Sequence, residues 1–370
     1  MTGIAAGGDA IARDDDGKVT FISGALPGER VLVEITDRRR DFDRASTIEV
    51  LDAAPGRVDA PCPHVARGCG GCGWQHVALD TQRELKADIV RDALRRIGRL
   101  EEPGIEIGER LDPFGFRTTV RLARGIGFRH ARSHDVVDVD SCLVAHPLLT
   151  ELFAVDYGRA REVTLRCGAR TGDRLVLTDP TRIRLDLPDG VHVGPRSFLH
   201  EVVAGHRFRV SAHSFFQTRA DGADALVDAV RRAARGAPDG RLVDAYGGVG
   251  LFAATLDRDA TIIEHSPSSV LDARHNVPGA KVAQSDVARW RPSPAALVVA
   301  DPPRAGLGAD AVDVLSQTGA GHLVLVSCDP ASLARDARLL AAAGFAHDGT
   351  TLVDLFPHTP HVETVSRFIR

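Results

Sequence analysis

From Ala212 to the C-terminus the chain alternates helical stretches with short apolar runs, and that alternation limits the fold more than any other feature. Apolar runs without a polar face must be covered on both sides, as strands are in a parallel sheet flanked by helices. A helix expected over 220–234 is followed by a strand over 242–246, a glycine turn and a helix over 251–256. Next come a strand over 261–264, a helix over 268–275, strands over 296–301 and 322–327, a helix over 331–343, and closing strands over 351–356 and 364–369. This pattern predicts a doubly wound, Rossmann-like α/β sheet with its ligands outside the carboxyl ends of the strands.

Those strand ends carry reactive chemistry. Asp244-Ala-Tyr246-Gly247-Gly248-Val-Gly250 joins a strand to a helix, where glycines let a ligand approach the backbone. Glu264 closes the next strand eighteen residues after Tyr246, at the distance from which an acid reaches ribose hydroxyls. The spacing G-x-G-x-x-G is absent, because Leu251, Phe252 and Ala253 follow Gly250. An adenosine ligand without pyrophosphate fits such a loop, and S-adenosylmethionine is one. Asp301-Pro-Pro-Arg304 ends a later strand, and Ser327-Cys328-Asp329-Pro330 ends another just ahead of a helix, whose N-terminus is expected to lower the thiol pKa. Glu363 opens the last strand after the turn over 356–361 and, taken alone, reads as a solvated carboxylate.

The remainder divides into two further units. Short β-like runs over 18–22, 30–35 and 45–51, separated by turns, read as a small β-barrel over 1–57. A β-rich central domain is expected over 58–210, preceding a catalytic domain over 211–370. Within the central part, residues 79–98 have apolar side chains at helical spacing, an amphipathic stripe that the catalytic domain can cover. Six cysteines in 370 residues are too few for a disulfide scaffold, and Cys62, Cys69 and Cys72 crowd into eleven residues, with Cys142 as a fourth candidate. That usage reads as a reducing compartment and a metal site. Four thiolates suit a tetrahedral zinc or an iron–sulfur cluster, and the single Cys-x2-Cys hook favours the cluster. The spacing does not match the Cys-x3-Cys-x2-Cys loop of radical S-adenosylmethionine enzymes. No window approaches the roughly 20 apolar residues that cross a bilayer, so a cytoplasmic protein with no membrane contact is expected.

Five motifs in order carry a resemblance: Phe216-Gln217, Asp244-x-Tyr246-x-Gly248, Asp301-Pro-Pro-Arg-Ala-Gly-Leu307, Val326-Ser-Cys-Asp-Pro-Ala331 and Val353-Asp-x-Phe-Pro-x-Thr-x-His-Val-Glu363. Together they resemble the RNA 5-methyluridine methyltransferase family over nearly the whole chain. Residues 3–50, with the Leu26-Pro-Gly-Glu29 turn, resemble the OB-like TRAM domain that precedes the catalytic part in many members. The resemblance implies a class I methyltransferase fold, with Cys328 as nucleophile and Glu363 as base. It places S-adenosylmethionine near Gln217, Tyr246, Gly248, Gly250, Glu264, Asp286 and Asp301, and a [4Fe–4S] cluster on Cys62, Cys69, Cys72 and Cys142. The implied partner is RNA, ribosomal RNA before tRNA, with the target uridine turned out of its stack; the protein is expected to be a monomer. Two positions depart from the pattern: Gly247, where many relatives have Cys, and Asp329, where Asn is more usual.

The net charge of −4 gives no general affinity for RNA, although 43 of the 46 basic residues are Arg and only three are Lys. Recognition would then depend on local groups: Arg38, Arg39 and Arg40, Arg91, Arg95 and Arg96, and the aromatic–basic runs Phe114–Arg117 and Phe128–His130. Two rivals remain. An amino-group methyltransferase acting on adenine or guanine would share the sheet but needs no Cys328, and a non-catalytic RNA-binding cluster protein would not need intact Gln217, Glu264, Asp301, Cys328 and Glu363.

Overall fold

A computed structural model describes residues 3–131, 133–181 and 183–370. Its largest element is an eight-stranded sheet in the order Lys281–Gln284, Ala260–Glu264, Leu242–Ala245, Leu297–Ala300, His322–Ser327, Thr364–Ile369, Ala346–Leu352, Ile105–Ile107. The first five strands are parallel, and Thr364–Ile369 runs antiparallel to both of its neighbours.

Successive side chains of the central strands point to opposite faces, so each apolar run feeds two cores. Leu242, Ile262, Val299 and Val324 pack on one face with Leu226 and Val230 of the Ala220–Ala233 helix. Val243, Ile263, Val298 and Leu323 pack on the other with Leu333 of the Pro330–Ala342 helix and with Val90 and Leu94 of the Leu79–Arg96 helix. The apolar stripe read over 79–98 is thus buried on the catalytic sheet.

Ahead of this layer lie a five-stranded sheet built from residues 3–52, a six-stranded sheet with its own core around Leu122, Leu149, Leu152 and Leu165, and the hairpin Phe198–Val203/His206–Ser211. Four features depart from the sequence reading. The strand expected over 351–356 is Ala346–Leu352, and the chain turns from Val353 onward. The short edge strand Lys281–Gln284 and the helix Gly308–Ser316 were not anticipated, and a 3-10 helix, Pro147–Ala154, interrupts the β-rich middle. Among the described residues, no helix is long and apolar enough to cross a membrane.

Candidate active site

Leu242–Ala245 and Leu297–Ala300 are neighbours in the sheet, but their successors in sequence lie on opposite sides, which opens a crevice at their carboxyl ends. Tyr246, Gly248 and Gly250 bend the loop there through left-handed φ of 59°, 55° and 91°. At Gly247 a Cβ would stand 2.7 Å from Ile262 Cγ2, so a cysteine there would press on the neighbouring strand. Gln217, Tyr246, Gly248 and Asp301 line one pocket with Phe216 and Phe252. Glu264 closes its side, accepting from the Gly248 amide at 3.0 Å and the Ser266 amide at 2.7 Å. Gly250 begins the following helix. Asp286 is exposed and does not line this pocket; its charge raises the Tyr246 phenol pKa together with burial, the larger cause.

The cradle fits S-adenosylmethionine. Asp244 is fully buried, and its Oδ2 accepts from the Ala253 amide at 2.9 Å while Oδ1 has no partner; burial pushes this carboxyl up to about 7. A Cβ at Gly248 would meet nothing within 4 Å, so the loop leaves open space. Acids around that space suit a ligand with cationic sulfonium and ammonium groups and donating ribose hydroxyls.

The adjoining strand ends bring together Cys328 and Glu363, expected from the sequence as nucleophile and base, with Asp301. Thr364 pairs with Ser327 in the antiparallel ladder, so the next residues outward, Glu363 and Cys328, stand across from each other. Asp301 follows Ala300 on the adjacent parallel strand, and its amide donates to Ala245 O at 3.2 Å. Burial pushes the Asp301 and Glu363 carboxyls upward, and the Asp301 charge adds to the effect on Glu363, so the pair resists carrying two negative charges.

Cys328 departs from the expectation of a lowered thiol pKa. Burial, with Glu363 and Asp301 beside it, pushes the thiol up to about 11. The helix N-terminus ahead of it is already occupied: the Asp329 side chain accepts from the Ser332 amide at 2.8 Å, placing a carboxylate on the positive end of the dipole. That direction favours the protonated thiol. The exposed Arg304 guanidinium, which sequence reasoning quoted but gave no role, pulls the thiol the other way.

Cys62, Cys69, Cys72 and Cys142 line one cavity of about 330 Å³, shared with Arg117 and Phe128. The four positions, drawn from two distant segments, do come together. Among the described residues, however, no group of three or more His, Cys, Asp or Glu side chains is arranged to hold a metal ion. His64 sits 3.8 Å from the Cys62 sulfur through Nδ1, and the Gln75 side chain accepts from the Cys62 amide at 3.0 Å.

Part of the basic face expected from the sequence is paired with acids. Arg91 contacts Asp88, Arg96 meets Asp92 at 2.9 Å and Arg39 meets Asp37 at 2.8 Å. Phe116 is buried beneath the Arg219 guanidinium, whereas Phe114 is exposed and its ring lies 5.0 Å from that of His358. The largest exposed ring near the cofactor crevice is Phe215, which the sequence reading passed over; its adjacency to Phe216-Gln217 was the available signal.

Comparison with known proteins gives the family. Residues 2–48 match the TRAM domain, and residues 293–368 match the tRNA (Uracil-5-)-methyltransferase family. An uncharacterized RNA methyltransferase of Streptomyces avermitilis is 36% identical over 98% of this chain and 95% of its own. The 23S rRNA (uracil(1939)-C(5))-methyltransferase RlmD of Chromohalobacter salexigens is 34% identical over 97% of this chain and 86% of its own. The crystal structure of Pyrococcus abyssi tRNA (uracil-54, C5)-methyltransferase in complex with S-adenosyl-L-homocysteine superposes with a TM-score of 0.75 at 26% identity, covering 98% of this chain and 100% of that one. With a TRAM domain in front, a cofactor crevice at the strand switch and Cys328 facing Glu363, the chain belongs to the S-adenosylmethionine-dependent RNA (uracil-C5-)methyltransferase family.

Proposed function

We propose that the enzyme methylates C5 of one uridine in ribosomal RNA through a covalent adduct between Cys328 and uracil C6. The observation that carries this reading is the opposition of Cys328 and Glu363 across paired strand ends, beside the cofactor crevice. Uracil C5 is a weak nucleophile. When the Cys328 thiolate adds to C6, the electron pair of the C5–C6 double bond moves into the C4 carbonyl and C5 becomes an enolate carbon. S-adenosylmethionine, when bound, supplies the electrophilic methyl group that this carbon takes. Glu363 then removes the C5 proton, and the electrons left behind reform the double bond and expel the Cys328 sulfur from C6. Asp301, next to both groups, raises the proton affinity of Glu363 and so suits it to accept that proton. C6 is shielded inside a base stack, so the uridine has to be turned out to reach Cys328.

Ribosomal RNA is preferred over tRNA because a whole-length relative named as an rRNA methyltransferase is 34% identical, against 26% for the tRNA enzyme. Release of tritium from [5-3H]uridine-labelled ribosomal RNA tests the reading: one tritium leaves per methyl transferred if C5 is the target. Methyl transfer without tritium release would indicate an amino-group methyltransferase instead. Transfer to tRNA alone would reassign the substrate.

The four cavity cysteines are read as the ligands of a [4Fe–4S] cluster. The uneven spacing, with its single Cys-x2-Cys hook, supports a cluster over a lone zinc, and the resemblance to cluster-bearing family members points the same way. Cys69→Ser is expected to remove the visible iron–sulfur absorption and lower the iron content of anaerobically purified protein. Unchanged colour and iron would reject Cys69 as a ligand.

A further inference from the structure

Asp354 to His358, the first part of the turn that leads to Glu363, is held largely by residues from outside the catalytic sheet. Lys86 of the Leu79–Arg96 helix is fully buried and donates to Asp354 Oδ1 at 2.6 Å and to Phe356 O at 2.9 Å. Four residues earlier on the same helix, Gln82, also fully buried, accepts from the His358 amide at 2.7 Å. Its Nε2 donates to Trp74 O at 3.1 Å and Val77 O at 2.8 Å. Trp74, two residues beyond Cys72, completes the link: its amide donates to His358 O at 2.8 Å and its indole to Gly8 O of the N-terminal sheet at 3.2 Å. A Cβ on Gly8 would stand 2.7 Å from both Pro360 Cβ and the Trp74 indole nitrogen, so the three segments meet without spare room. The far end of the turn is tied back where Val353 N donates to Glu363 O at 2.8 Å.

We propose that Lys86 and Gln82 are positioning residues for the base. They hold the turn so that Glu363 faces Cys328, and they make removal of the C5 proton depend on the cysteine-bearing segment. This rests on the covalent mechanism proposed above. In a chain with 43 arginines and three lysines, the cation at this point is a lysine. The site supplies the reason: a compact ammonium satisfies two acceptors in a space closed to water, whereas a guanidinium would bring a wide fork of five donors. Neither residue touches the reacting atoms, so their loss should act on one step. The thiolate still adds to C6 and the methyl group still transfers, but the C5 proton lingers and the C6–sulfur bond stays intact.

The test uses full-length protein and unmodified RNA substrate. Lys86→Met leaves Asp354 buried and unpaired and risks misfolding, so the main variant is Lys86→Met/Asp354→Leu, which replaces the ion pair with apolar side chains. Gln82→Leu is the second. Expected is a fall in turnover of about 100-fold, as a misplaced catalytic group gives, together with an RNA–protein adduct on denaturing gels that wild type does not accumulate. Lys86→Arg should not restore turnover. A folded double variant with normal turnover, or one that slows without accumulating adduct, would overturn the positioning role. Wild-type trapping by 5-fluorouridine RNA is run alongside: if it fails, the covalent mechanism falls, and if it succeeds, either negative result counts against the clamp alone.

Discussion

Cys328→Ala is expected to abolish methyl transfer while leaving the protein folded and able to bind S-adenosylmethionine. Cys328 is half-buried at the end of His322–Ser327, and the side chain contributes little to either core. Its loss removes the group proposed to add to C6, and without that addition C5 has no enolate character. Removing a nucleophile costs at least about a thousandfold in turnover. The adduct with 5-fluorouridine RNA should vanish with it. Retained turnover would mean that the resting thiol, held up to about 11 by burial and two carboxyls, reflects a structural cysteine and not a nucleophile that awaits substrate.

Glu363→Gln is expected to give the complementary result. Glutamine keeps the size and the hydrogen-bonding reach of the side chain but cannot accept the proton. Turnover should fall by about 10²–10⁴, the range of general acid–base contributions. The adduct should now accumulate on ordinary RNA, because addition and methyl transfer precede the step that is blocked. The substitution also removes the carboxyl that burial and the Asp301 charge push upward. Loss of turnover without adduct would move Glu363 from proton removal to an earlier step.

The catalytic sheet was legible because its strands are short unbroken apolar runs. Leu242-Val243, Val298-Val299 and Leu323-Val324 each send one residue to each core, so no amphipathic pattern competes. Ala346–Leu352 was misplaced for the opposite reason. His347, Asp348 and Gly349 interrupt its apolar pattern, and a bulge between His347 and Thr350 breaks its register. At the site, Cys328 and Asp301 announced themselves by standing at strand ends ahead of proline-led turns. Glu363 did not; its meaning comes from an antiparallel ladder 37 residues long in sequence separation at Ser327 and Thr364, which periodicity cannot supply. The same limit hid Lys86, 268 residues from Asp354. The thiol pKa was misjudged because a helix end was weighed alone, whereas burial, two neighbouring acids and the Asp329 cap outweigh it.

The most direct measurement is mass spectrometry of the peptide covalently attached to 5-fluorouridine ribosomal RNA after incubation with S-adenosylmethionine. Fluorine at C5 cannot leave as a cation, so Glu363 has no proton to remove and the adduct is frozen. The expected result is a single modified peptide containing Cys328, carrying a C5-methylated fluorouracil nucleotide. A modified peptide from the Cys62–Cys72 loop, or methylated RNA with no attached protein, would contradict the covalent role of Cys328.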